Sequence, residues 1–169
     1  MLSRTLVQAV LVFCAVTAGL VAPTVIREGF FSLGADAAAN GPVQGSRLSV
    51  PGLDFSQGTN TVVVFLRSSC QYCIKSMDFY RVLAAKATTT SHFRLVVVGS
   101  EPVDSVNRFL REHQLKPDEV IPMHTVRVSI SATPTLVLVN ERGIIVRSWV
   151  GEMGPAAREL LLQALHGAR

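Results

Sequence analysis

The stretch Ser68-Ser69-Cys70-Gln71-Tyr72-Cys73-Ile74 narrows the folds open to this chain more than any other part of it. A run of strand formers, Val62-Val63-Val64-Phe65-Leu66, stands directly before it, and a helical apolar pattern starts at its first cysteine. The pattern predicts a buried strand over 61–66, a short turn, and a helix over 70–87 that carries Cys-x-x-Cys at its N-terminus. The unpaired N–H groups of a helix start, together with the positive end of its dipole, stabilise a thiolate. The thiolate, not the thiol, attacks disulfides. Two cysteines on one helical turn are neighbours, so the second can resolve a mixed disulfide formed by the first.

The rest of the chain reads as strands and helices built around that unit. Ile74, Met77, Tyr80 or Arg81, and Ala84 repeat at helical spacing, and Thr88-Thr89-Thr90-Ser91 is expected to end the helix. Residues 93–98 read as a second buried strand. Residues 102–113 read as an amphipathic helix with Val103, Val106 and Leu110 on one face and Pro102 in its first turn. Lys116-Pro117-Asp118 closes that unit. Strands over 135–139 and 144–149 flank Asn140-Glu141-Arg142-Gly143, which suits a tight antiparallel hairpin. Pro155 opens a last helix whose apolar residues are Leu160, Leu161, Ala164 and Leu165. A small extra strand is placed at 48–50, and Gln57-Gly58-Thr59-Asn60 is read as a turn. The order β-α-β-α-β-β-α defines an α/β fold: a central mixed sheet with helices on both faces.

The N-terminus is of a different kind. Residues 6–26 contain no charge, and a stretch of that length suffices to cross a bilayer as a helix. Residues 1–28 are therefore expected to be an uncleaved membrane anchor. A cleaved signal peptide, with Ala35-Asp36-Ala37 as its site, is the alternative. Residues 29–46 read as a linker and 47–169 as the domain. Either reading carries the domain across the membrane. In a bacterium it would sit on the periplasmic side of the inner membrane, tethered or released. The formal net charge of +4 comes without a basic run or basic-aromatic interleaving, which argues against nucleic-acid binding. Three cysteines are too few for a disulfide scaffold, and Cys14 reads as apolar filler.

Cys70-Gln71-Tyr72-Cys73 after a strand, followed by Ala132-Thr133-Pro134-Thr135-Leu136-Val137-Leu138-Val139-Asn140 and then Gly143, resembles thioredoxin. Within that superfamily the chain is most similar to the membrane-anchored, extracytoplasmic TlpA-like thiol-disulfide oxidoreductases. The resemblance implies roles position by position. Cys70 would be the exposed nucleophile and Cys73 the buried resolving thiol, with Gln71 and Tyr72 as the dipeptide that tunes the potential. Pro134 would follow a cis bond and face the dithiol, and the backbone of Thr133 would pair with an extended substrate segment. The implied activity is electron exchange with protein thiols and disulfides, more as a reductase. No cofactor is implied beyond the Cys70–Cys73 disulfide itself, and a membrane partner would supply electrons. Arg67-Ser68-Ser69 replaces the usual aromatic before the first cysteine, and the strand 61–66 lacks the buried acid of many thioredoxins.

Several readings compete with this one. A zinc half-site would need two further ligands, and no second Cys-x-x-Cys or His pair exists. A non-catalytic copper-binding module on the same fold would use Cys70, Cys73 and His124. A peroxidase motif would need other residues before Cys70 than Val63 and Arg67. Arg67 and Lys75 either lower the thiol pKa or are solvated surface. His92 and His113 carry no signal, and Trp149 reads as a core or edge aromatic.

Overall fold

The computed structural model describes residues 41–56, 59–90 and 93–166. The apolar segment 6–26, Cys14, the candidate cleavage site Ala35-Asp36-Ala37, Gln57, Gly58, Ser91 and His92 lie outside them. Among the described residues no helix is long and apolar enough to cross a membrane.

A mixed five-stranded sheet lies at the centre. In chain order its strands are β1 (Asn60–Leu66), β2 (Phe93–Gly99), β3 (Glu119–Pro122), β4 (Thr135–Val139) and β5 (Ile145–Val150). They lie side by side as β3-β2-β1-β4-β5. β1 pairs with β2 in parallel and β2 with β3 likewise, while β4 runs antiparallel to both β1 and β5. The central strands are apolar throughout because both of their faces are covered. Val62, Val64 and Leu66 of β1 enter one core, and Val63 and Phe65 enter the other.

The helices are α1 (Gln71–Lys75), α2 (Met77–Thr90), α3 (Val103–Glu112) and α4 (Pro155–His166). Here the structure departs from the expectation of helices on both faces. Buried residues of α2, α3 and α4, among them Leu83, Leu110 and Leu161, share one core. The opposite face is closed by Leu48, Val50 and Leu53, by Ile121, and by a half-buried run that includes Met123, Val126 and Ile130. Only a single 3-10 turn, Met123–Thr125, is helical within that run. The 48–50 segment makes isolated bridges, Arg47 to Ile144 and Ser49 to Arg127, instead of the expected strand.

The helix expected over 70–87 is two helices, broken at Ser76. The Ser76 hydroxyl donates to the Tyr72 carbonyl at 2.8 Å, and such back-bonding bends helices. The second piece outlasts its expected end. Thr88, Thr89 and Thr90 remain helical, with their hydroxyls bonded to the carbonyls of Ala84, Ala85 and Lys86. Ile74, Leu160 and Ala164, placed by the pattern on apolar faces, are exposed, whereas Met77, Tyr80, Leu83 and Ala87 are buried. The β4–β5 hairpin forms as expected. Asn140 Oδ1 accepts the N–H groups of Arg142 and Ile144, and Gly143 takes a φ of 74° that other residues rarely adopt.

Candidate active site

β1 ends at Leu66, and the next four residues form the turn that delivers Cys70. Cys70 caps α1 with extended backbone angles, φ −84° and ψ 114°. Its Sγ accepts the Cys73 N–H at 3.2 Å. Its own S–H donates to the Thr133 carbonyl at 3.2 Å. That contact joins the helix start to the segment before β4, where the Thr133–Pro134 bond is cis. Pro134 is buried. Gly151 N–H donates to the Pro134 carbonyl at 2.7 Å, and the Thr135 hydroxyl donates to Ala132 at 2.8 Å. The loop under the sulfur is therefore held from both sides.

The two thiols differ in setting. Cys70 is partly exposed and Cys73 is buried, and both are free. Burial alone would raise the Cys70 pKa. Hydrogen bonds from the Cys73 thiol, from the Thr133 side chain and from the N–H groups of Cys73 and Tyr72 outweigh it and bring Cys70 below the ordinary thiol value. Burial, aided by the hydrogen bond and the charge of Cys70, pushes Cys73 up to about 12. A lowered, partly exposed thiol beside a raised, buried one is the arrangement in which the first can attack a disulfide as a thiolate while the second is still protonated.

The thiolate is served by hydrogen bonds from a single turn, not by a long helix dipole, because α1 is only five residues long. Lys75 and Arg67 do not supply charge to it. Lys75 Nζ lies 5.5 Å from the centre of the Tyr72 ring, and Arg67 Nε reaches Ser100 Oγ at 3.4 Å. What Arg67 gives the site is its backbone. Its carbonyl accepts the Cys70 N–H at 3.1 Å, and its N–H faces the Cys73 thiol. Gln71 and Tyr72 are exposed beside Cys70, Tyr72 to 55%.

Cys70, Cys73, Thr133 and Pro134 therefore come together, although they lie far apart in sequence. His124 does not join them: among the described residues no three His, Cys, Asp or Glu side chains converge as metal ligands. Sequence reasoning missed Ser68 and Glu101. Glu101 Oε1 accepts both the N–H and the hydroxyl of Ser68, each at 2.8 Å. Only the pairing of β1 with β2 brings these two residues together, and no local pattern marks it.

A helix-capping cysteine over a buried partner, facing a cis-proline loop on this sheet, defines a thioredoxin-like site. A family profile described as the thioredoxin-like domain matches residues 56–166, and the chain belongs to that family. Among solved structures it is similar to a provisionally named thiol:disulfide interchange protein DsbE from Chlorobium tepidum. That match has 20% identity and a TM-score of 0.59, over 76% of this chain and 97% of the other. It is also similar to a thiol-disulfide isomerase from Corynebacterium glutamicum, at 17% identity and TM-score 0.56, over 79% of this chain and 97% of that one. A thiol:disulfide interchange protein from a Bacteroides species matches at 16% identity and TM-score 0.55, covering 78% and 93% of the two chains. At these identities the likeness is one of fold. No curated protein matches the sequence.

Proposed function

We propose that the protein is a thiol-disulfide oxidoreductase that exchanges electrons with disulfides of protein partners, acting as a reductase outside the cytoplasm. The observation that carries this reading is the inequality of the two sulfurs: Cys70 is partly exposed and lowered, Cys73 is buried and raised. The Cys70 thiolate attacks one sulfur of a partner disulfide. The S–S bond breaks, a Cys70–partner disulfide forms, and the departing sulfur leaves as a thiolate that takes up a proton. Cys73 then gives up its proton and attacks Cys70 Sγ, expelling the second partner sulfur. The partner gains two electrons and two protons, and the protein keeps a Cys70–Cys73 disulfide. Ionisation of Cys70 also removes the S–H that occupies the Thr133 carbonyl, freeing a backbone acceptor for an extended partner segment.

The uncharged segment 6–26 supports an anchored, extracytoplasmic placement, and an oxidising compartment calls for a membrane electron donor. The reducing direction rests on the resemblance to TlpA-like proteins. Equilibration of the full-length protein with glutathione tests it. A potential near or below about −250 mV places the pair with reductants such as thioredoxin, and a value near about −120 mV makes it an oxidant. Absence of a reversible couple would remove the oxidoreductase reading altogether.

Alkylation checks the inequality directly. Cys70 labels at pH values below those a free cysteine requires, because its thiolate persists there. Cys73, pushed up to about 12, labels only at strongly alkaline pH or after unfolding. Peptide mass spectrometry over a pH series reads both, and simultaneous labelling of the two thiols at neutral pH would contradict the assignment.

A further inference from the structure

The turn that carries the dithiol is fastened to the neighbouring strand by a carboxylate that takes no part in sulfur exchange. β1 and β2 run parallel with Leu66 opposite Gly99, so Ser68 and Glu101 each lie two residues beyond a strand end and meet. Glu101 Oε1 accepts the Ser68 N–H and Oγ–H, and Oε2 accepts the Ser100 hydroxyl at 3.1 Å. Burial alone would raise this half-buried carboxyl, but the Ser68 hydroxyl and N–H, its own N–H and the Ser100 hydroxyl bring it below the usual range. It is an anion at neutral pH, with all its donors in place. The Ser68 N–H it grips shares a peptide group with the Arg67 carbonyl, which accepts the Cys70 N–H, and the N–H of Arg67, one peptide earlier, faces the Cys73 thiol.

We propose that Glu101 is a positioning residue for the dithiol: by gripping Ser68 it holds the Arg67 backbone against both cysteines and so sets how readily Cys70 reacts. The proposal rests on the reading of Cys70 and Cys73 given above and adds a residue outside the motif. It competes with a second physical effect of opposite sign. A bare negative charge near a thiol disfavours the thiolate, so removing the charge alone would make Cys70 more reactive. Removing the grip lets the turn rotate and makes Cys70 less reactive.

Three variants of the full-length protein separate the two effects, with alkylation rate of Cys70 at fixed neutral pH and the equilibrium constant with glutathione as readouts. Glu101→Ala loses the grip, and its alkylation slows by roughly three- to tenfold, the size of one hydrogen bond's net contribution. Glu101→Gln removes the charge but keeps an oxygen for Ser68, and reacts at the wild-type rate or faster. Ser68→Ala loses one of the two donors to Oε1 and falls between. Asp118→Asn is the control for loss of stability alone. It weakens the 2.7 Å bond from Leu95 N–H at the far end of β2 and leaves Cys70 alkylation unchanged. An unchanged or faster rate in Glu101→Ala overturns the proposal. If that variant does not fold, an unchanged rate in Ser68→Ala overturns it instead. A wild-type protein without any reversible couple overturns the oxidoreductase reading and this proposal together. A normal wild-type couple with an unaltered Glu101→Ala overturns the proposal alone.

Discussion

Cys70→Ser lowers turnover on a disulfide-bonded test protein by about a thousandfold or more, the scale on which loss of a nucleophile acts. A serine hydroxyl at this cap still accepts the Cys73 N–H and still reaches the Thr133 carbonyl, so the turn keeps its shape. What disappears is a sulfur whose ionisation is brought below the ordinary thiol value. The hydrogen bonds that lower a thiol into the working range leave a hydroxyl far above it. The substitution therefore separates fold from chemistry: thermal unfolding stays close to wild type while exchange falls to the uncatalysed background. Rates are followed by the appearance of free thiols in the test protein. Retained turnover in this variant would end the assignment of Cys70 as nucleophile and, with it, the function proposed here.

The site was legible in the sequence where a physical demand is local. Cys70 and Cys73 need a helix start after a buried strand, and both signals lie within a dozen residues. The β4–β5 hairpin was legible for the same reason, since Asn140 and Gly143 supply the turn's acceptor and its positive φ within one loop. What failed to show depends on partners distant in sequence. β3 is four residues long, half-exposed and ended by Pro122, so it has no apolar run to announce it. It exists because Glu119 to Pro122 line up beside Val96 to Gly99. Of the covering of the second face only 48–50 had a signal, as a small strand; the part from 121 to 130 is equally invisible, because that segment buries scattered residues without forming a regular helix or strand along its length. Ser76 hides in a continuous helical pattern that does not announce the break between α1 and α2.

The strands also explain why the buried partner of Cys70 works without a carboxylate beneath it. β1 is apolar from Val62 to Leu66, and Cys73 packs in the same core as Met77 and Tyr80. Burial in that core disfavours a charged sulfur more than the Arg67 N–H and the Thr133 side chain favour it, so Cys73 is held as a thiol. Its S–H meanwhile donates to the Cys70 sulfur and helps the first step. In the proposed reaction burial sets the order of events: attack by the exposed sulfur first, resolution by the buried one second.

Cys73→Ser exposes that order by stopping the reaction midway. Cys70 keeps the N–H donors of Tyr72 and Cys73 and remains an attacking thiolate, though without the hydrogen bond from the Cys73 thiol. The first exchange therefore proceeds, and the Cys70–partner disulfide has no internal thiol to break it. A covalent complex accumulates to nearly one per protein, stable in non-reducing electrophoresis and released by dithiothreitol, while multiple turnover is lost. The hydroxyl introduced at this fully buried position costs about 1–3 kcal/mol if it finds no partner. Cys73→Ala, which adds no polar group, is the companion variant and traps the same complex. Mass spectrometry of the complex should place the linkage at Cys70. Release of reduced partner at the wild-type rate by either variant would show that resolution comes from elsewhere, and the role of Cys73 would fall.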